Sequence, residues 1–172
     1  ALSSELKIDA EILDAWTSYL GLATGKVAIK DYLSTPIHNG SGHKFISGWT
    51  IKGVADFSLM ANASDRDVKV PGDLRAHHVV VHPRPERWIA AGWMSPFDGR
   101  VKITPHVRDA HNNCGNGVSW SLNLRRGSLT RVLRSANLDL GKVATIAPVP
   151  ELEVRKGDLI SITIGARDNS HI

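Results

Sequence analysis

The densest run of polar side chains in the sequence is Asp109-Ala110-His111-Asn112-Asn113-Cys114-Gly115-Asn116-Gly117. Short acidic and amide groups at this spacing suit a hydroxyl-rich ligand such as a sugar, or a calcium ion with oxygen ligands. They equally suit a self-bonded structural turn, because Asp and Asn bond their own backbone and Gly accepts positive φ. His106 and Arg108 on one side and Arg125 on the other flank the run on the polar faces of adjoining strands. The candidate polar contacts are therefore His106, Arg108, Asp109, His111, Asn112, Asn113, Asn116 and Arg125. Aromatic residues make up only 6% of the chain, so Trp16, Trp49, Trp88, Trp93 and Trp120 stand out. An exposed indole meets the apolar C–H face of a pyranose, while neighbouring Asn, Asp and Arg bond its hydroxyls. Alternation places Trp120 in the core with Val118 and Leu122, and Trp16 is expected to pack its own helix. Trp88 and Trp93 fall on opposite faces of one extended run; Trp88 is the expected outward platform, with Trp49 as the other candidate.

Other chemistries are less well served. Of the eight His, His77, His78 and His82 fall in one expected strand. There, residues 78 and 82 share a face but stand about 13 Å apart at about 3.3 Å per residue, too far for one metal ion. No Gly-x-Ser-x-Gly elbow, phosphate loop or dinucleotide fingerprint occurs. Asp98, Asp109, Asp139, Glu151 and Asp158 leave a glycosidase-type carboxylate pair open, because space and not sequence sets such pairs. However, Asp98-Gly99 and Gly157-Asp158 read as turns. Arg125, Arg126, Arg131 and Arg134 form a basic cluster without aromatic interleaving, which reads as a solvated strand face and not as a nucleic-acid surface.

Positioning these residues calls for a mostly β scaffold. Residues 9–20 carry Ile12, Leu13, Trp16, Tyr19 and Leu20 at helical spacing, with Asp9 as N-cap and Gly21 as stop. A second short helix is expected from Val27 to Ser34, ending before Pro36. From about Ile37 the period becomes two. Val101, Ile103, Pro105 and Val107 alternate with polar residues, as do Val118, Trp120, Leu122 and Leu124, and Ile160, Ile162 and Ile164. Each of these strands gives one face to a common core. Further extended runs are expected at 57–60, 67–70, 77–82, 88–93, 129–134, 143–146 and 152–154, punctuated by Gly, Pro, Asn and Asp turns. Short strands about ten residues apart predict an all-β sandwich of jelly-roll type, with 1–36 as a helical lead-in or linker and 37–172 as the β-sandwich domain.

Composition sets outer limits. A chain of 172 residues with 42% hydrophobic and 22% charged residues is one domain of ordinary globular make-up. No apolar run approaches the roughly 20 residues that span a bilayer as a helix. A net charge of +4 permits an anionic partner without the clustered excess of a nucleic-acid binder. One cysteine excludes an internal disulfide, a Cys-based zinc site and a haem attachment motif.

The stretches ANASDRDVKVPGDLRAHHVVVHPRPERWIAAGWMSPFDGRVKI, VRDAHNNCGNGVSWSLNLRRG and VRKGDLISITI resemble the carbohydrate-binding-like β-sandwich module found in large planctomycete proteins that also carry a predicted cytochrome c domain. The matching segments are Asn62 to Asp65, Pro71-Gly72, His78 to Pro83, Gly92 to Gly99, Asp109 to Gly117 and Lys156 to Asp158; residues 8–16 look like the helix preceding the module. The resemblance implies a non-catalytic module that binds a polysaccharide or oligosaccharide, through Trp88 or Trp49 and the 109–117 loop with Arg125. It implies no cofactor beyond a structural calcium at most, no nucleic acid, and a periplasmic or extracellular setting. Members of that family continue past the position of Ile172 with a Cys-Asp and a final strand, so the resemblance also implies a missing strand and a partner for Cys114. The competing expectation is an interaction domain that docks on neighbouring domains or another chain with no sugar.

Overall fold

The computed structural model describes residues 2–20, 27–29, 31–70, 72–85 and 87–169. Two helices, α1 (Leu2–Leu6) and α2 (Ala10–Tyr19), precede twelve strands. These are β1 (Thr35–His38), β2 (Ile46–Ile51), β3 (Val54–Asn62), β4 (Val68–Lys69), β5 (Asp73–Leu74), β6 (Val79–His82), β7 (Ile89–Met94), β8 (Gly99–Ile103), β9 (Gly117–Arg126), β10 (Leu129–Asp139), β11 (Val149–Val154) and β12 (Leu159–Ala166). With 50% strand against 10% helix, all in antiparallel sheets, the chain is all-β and sandwich-like.

The main sheet runs β10-β9-β12-β7, and its inner face is apolar by simple alternation. Leu122, Leu124 and Ile160 pack against Val149, Leu152 and Val154 of the β8–β11 ribbon. Further along, Trp120, Ile164 and Leu138 pack with Val107 and with Val81 of β6. A second sheet, β1-β2-β3-β6, carries its own cluster on the opposite side of β6, where Ile46, Val70 and Leu74 meet Met60 and Val80. Val80 and Val81 thus serve two cores from successive positions, as the pleat dictates.

Below the main sheet's end, the Lys156-Gly157-Asp158 turn is locked by a buried ion pair. Asp158, 2% exposed, accepts three hydrogen bonds from Arg126, Nε to both carboxylate oxygens and Nη2 to Oδ2 at 2.7 Å, and a fourth from the Arg155 backbone N–H at 2.8 Å. Burial by itself would raise the pKa of this carboxyl, but the Arg126 hydrogen bond, the Arg155 N–H and the two positive charges outweigh it and hold it below the usual carboxylate range. The same hydrogen bond, stronger than the opposing desolvation, raises the Arg126 guanidinium.

Several sequence expectations need correction. No helix forms in the described part of 27–34. A stretch this short has little intrinsic helicity, and pairing of Thr35–His38 with β2 draws the chain into an extended path. Strand β1 accordingly begins at Thr35. Helix α2 does form, capped as expected by Asp9, whose Oδ1 accepts the Glu11 N–H at 2.8 Å; Gly21 lies outside the described residues. Its apolar stripe is uncovered, however, and Trp16 is 61% exposed instead of packed. Strand β6 begins at Val79, so His77 and His78 precede it; His77 has φ 57° and turns to Asp65 at 2.7 Å. The 101–107 alternation persists in burial, but β8 stops at Ile103, just ahead of Pro105, which has no N–H for a ladder. At 143–146 a single bridge, Arg108 to Val143, replaces a strand. Strand β2 escaped the period-two reading because Gly48 and Thr50 occupy two of its inward positions. The buried Thr50 hydroxyl is satisfied by the carbonyls of Val54 at 2.6 Å and Phe57 at 2.8 Å.

Candidate functional site

The register of the main sheet writes its outer face as four rows across β7, β12, β9 and β10. They are Trp88-Gly165-Ser119-Asn137, Ala90-Thr163-Ser121-Ser135, Gly92-Ser161-Asn123-Val132 and Met94-Leu159-Arg125-Thr130, with Trp88 placed by continuing the β7–β12 pairing one step. Neighbouring strands stand about 4.8 Å apart and rows about 6.7 Å apart. Small residues on the β7 side and hydroxyl or amide groups in the middle make this face flat and polar.

Trp88 closes one end. A Cβ at Gly165 would stand 2.4 Å from both atoms of the bond shared by the two indole rings, so the indole lies over bare backbone there. Only glycine admits this contact, and the ring remains 48% exposed. Next to it the Ser119 hydroxyl donates to Asn137 Oδ1 at 2.7 Å. Asn123 Nδ2 donates to the hydroxyls of Ser121 at 2.9 Å and Thr163 at 3.3 Å. At the far end Arg125 donates to the Ala28 carbonyl at 2.8 Å, and Val27 is 8% exposed. The 27–29 segment therefore lies against the Arg125 end of this face, where the polar Asn123 and Ser161 are buried.

On the inner side of the same sheet a cleft of about 720 Å3 is bounded by β6, residues 105–111 and the inner positions of β7, β9 and β12. His106, Arg108, Asp109 and His111 line it, as do His77, His78, His82, Arg75 and Cys114. Asp109 organises the loop: its Oδ1 accepts the His111 N–H at 3.0 Å and its Oδ2 the Gly141 N–H at 3.2 Å. Gly115 and Gly117 take the expected positive φ, 73° and 114°. Asn116 donates to Asp168 at 3.3 Å, while Asn112 and Asn113 are exposed.

The structure thus divides the candidate residues. Four of them, His106, Arg108, Asp109 and His111, share the cleft; Trp88 and Arg125 stand on the outer face, with the sheet between. Trp49 belongs to the second sheet, in the row Pro36-Trp49-Leu59-Val81, and is half exposed. Trp93 is exposed as well, edge-on to Phe97 at 6.0 Å, although its position in β7 is an inner one. Sequence reasoning did not find the serine, threonine and asparagine rows. Their signal was available in the polar half of the β9 alternation, but only the pairing register places them beside Trp88.

The carboxylates named for a glycosidase pair are engaged elsewhere. Asp98 accepts the Lys156 N–H at 2.7 Å, Glu151 pairs with Arg100 at 2.6 Å, Asp139 pairs with Arg167, and Asp158 is sealed by Arg126. Among the described residues no group of three or more His, Cys, Asp or Glu is arranged to hold a metal ion. Both Asp109 oxygens are taken up by backbone N–H groups, as in a self-bonded turn. Comparison of the chain with protein-family models, curated proteins and solved structures gave no match.

Proposed function

We propose that the chain is a non-catalytic carbohydrate-binding module that holds a polysaccharide on the outer face of its main sheet. The observation that carries this reading is the half-exposed Trp88 indole resting on Gly165 at the head of the Ser119, Asn137, Thr163 and Ser121 rows. A pyranose stacked on the indole would set its hydroxyls over these side chains, which supply both donors and acceptors. The rows lie at intervals comparable to one sugar residue, so a chain could run from Trp88 toward the 27–29 segment. Single contacts of this type are weak, and such a module would act by tethering and effective concentration.

Titration calorimetry against a panel of neutral and acidic polysaccharides, with Trp88→Ala beside the unaltered protein, tests the reading. Binding to at least one polysaccharide, weakened tenfold or more by Trp88→Ala, is the expected result. Absence of binding across the panel, or equal binding by the variant, would overturn it.

A second reading, a domain that docks on neighbouring domains or a partner chain without any sugar, draws on a different observation. The Ile12, Trp16, Tyr19 and Leu20 stripe of the α2 segment is exposed, and the 27–29 segment already covers one end of the outer face. Under this reading the α2 stripe would be buried in the parent assembly, which hydrogen exchange on the intact assembly would detect.

A further inference from the structure

The inner-face cleft differs in chemistry from the polar face and asks for a different ligand. Its floor is aliphatic, with Val81, Ala91, Val107, Val118, Ile162 and Ile164 contributing. No Trp, Tyr or Phe lines it, so it offers no plate for a sugar ring. Its volume falls within the range of about 300–1,000 Å3 usual for small-molecule sites. At one end the backbone gathers the polar groups: the Asp73 N–H donates to the Ala110 carbonyl at 2.8 Å, and Arg108 Nη2 donates to the Asp73 carbonyl at 3.1 Å. This brings Arg75, Arg108 and His111 to the same end of the cleft.

Of the charged groups there, one cation is left without a partner. Asp73 is answered by Arg108, 3.7 Å away, and Asp109 by the two backbone N–H groups. Among the described residues the Arg75 guanidinium has no hydrogen-bond or ion-pair partner. His111 also lines this part of the cleft, with its Nδ1 buried and unpartnered.

We propose that this cleft binds a small carboxylate with an apolar body, an alkyl chain or an aryl group. The body lies over Val81, Ala91 and Ile162, where burial supplies the affinity. The carboxylate faces Arg75, Arg108 and His111, which supply charge-assisted hydrogen bonds. This site is independent of the sugar reading, since the sheet separates it from Trp88.

Calorimetry of the full chain with decanoate, 2-naphthoate, decanol and acetate tests it. The expected result is micromolar to submillimolar binding of decanoate or 2-naphthoate, whichever body the floor accepts. Decanol and acetate should bind at least tenfold more weakly, because each lacks one half of the match. Arg75→Gln, at an exposed turn residue, should weaken the anion tenfold or more, and Ala91→Phe should obstruct the floor. Should Ala91→Phe fail to fold, Arg75→Gln still decides. Equal binding of decanol, anion binding unchanged by Arg75→Gln, or no binding of either anion below 1 mM would overturn the proposal. Sedimentation that showed self-association instead of anion binding would assign the cleft to a second copy of the chain and overturn it as well.

Discussion

The two faces of the main sheet come from the same strands in alternation, yet they do opposite things. On β9, Trp120, Leu122 and Leu124 turn inward to the core clusters, while Ser119, Ser121, Asn123 and Arg125 turn outward. Inward positions derive stability from burial, at about 25 cal/mol per Å2 of apolar surface. Outward positions gain little, because their hydroxyls and amides exchange water for one another at a net of about 1 kcal/mol per bond. One face is therefore committed to folding over most of its length, and the other is free to meet a ligand. Exceptions mark the places of interest: the inner face opens into the cleft near Ile162 and Ile164, and the outer face is closed over at Asn123 and Ser161 by the 27–29 segment.

The contrast can be broken most severely at the turn that joins the inner layers. Arg126 points to the inner side, where Nη2 also reaches the Glu153 carbonyl of β11, so its pair with Asp158 ties the ribbon to the sheet. Asp158→Ala should cost about 3 kcal/mol by stranding a guanidinium that is only 15% exposed, read as a shift in the urea midpoint. Its pH dependence has a definite sign. The folded carboxyl titrates below its unfolded value of about 3.9, so its stabilisation is complete above roughly pH 5 and is lost as pH falls through the folded value. Urea midpoints between pH 2 and 7 should fall at the acid end in the unaltered protein and less so in Asp158→Asn.

Adjacent positions on β9 sharpen the comparison at a smaller scale. Leu122→Ala should destabilise by about 2–5 kcal/mol, whereas its neighbour Ser121→Ala should stay within about 1 kcal/mol. Similar losses at both sites would mean that the outer face is also core. Between these two in stability, but larger in binding, is Gly165→Val. The added side chain must displace the indole, with a cost of about 1–3 kcal/mol from overpacking. Trp88 fluorescence should shift to a wetter environment, and polysaccharide binding should fall as far as in Trp88→Ala. Retained binding would detach the site from Trp88.

Much of the candidate site was legible only in pieces. Trp88 stood out by scarcity, and the 109–117 loop by density, and each lies where a ligand can reach it. Their grouping into one site does not follow from the fold, because 88 and 109–117 are fixed to opposite sides of one sheet. His106, Arg108, Asp109 and His111 do converge, yet the unpaired cation of their cleft, Arg75, sits in an unremarkable stretch more than thirty residues earlier. Likewise Asp158, which reads as a plain turn residue, is the most heavily bonded carboxylate among the described residues because Arg126 folds back onto it.

By itself the sequence determined what is periodic. Alternation on β8, β9 and β12 and the glycine turns fix a mostly β chain, because a side chain's face follows from its parity within a strand and from nothing distant, and the Asp9 cap fixes where α2 begins. What alternation cannot state is which strands pair, in what register, and what lies over each face. The row Trp88-Gly165-Ser119-Asn137, the closure of the outer face by residues 27–29, and the opening of the cleft under β6 are decided by contacts between residues far apart in the chain. Such contacts are chosen by the packing of the whole core, so only the tertiary structure could reveal them.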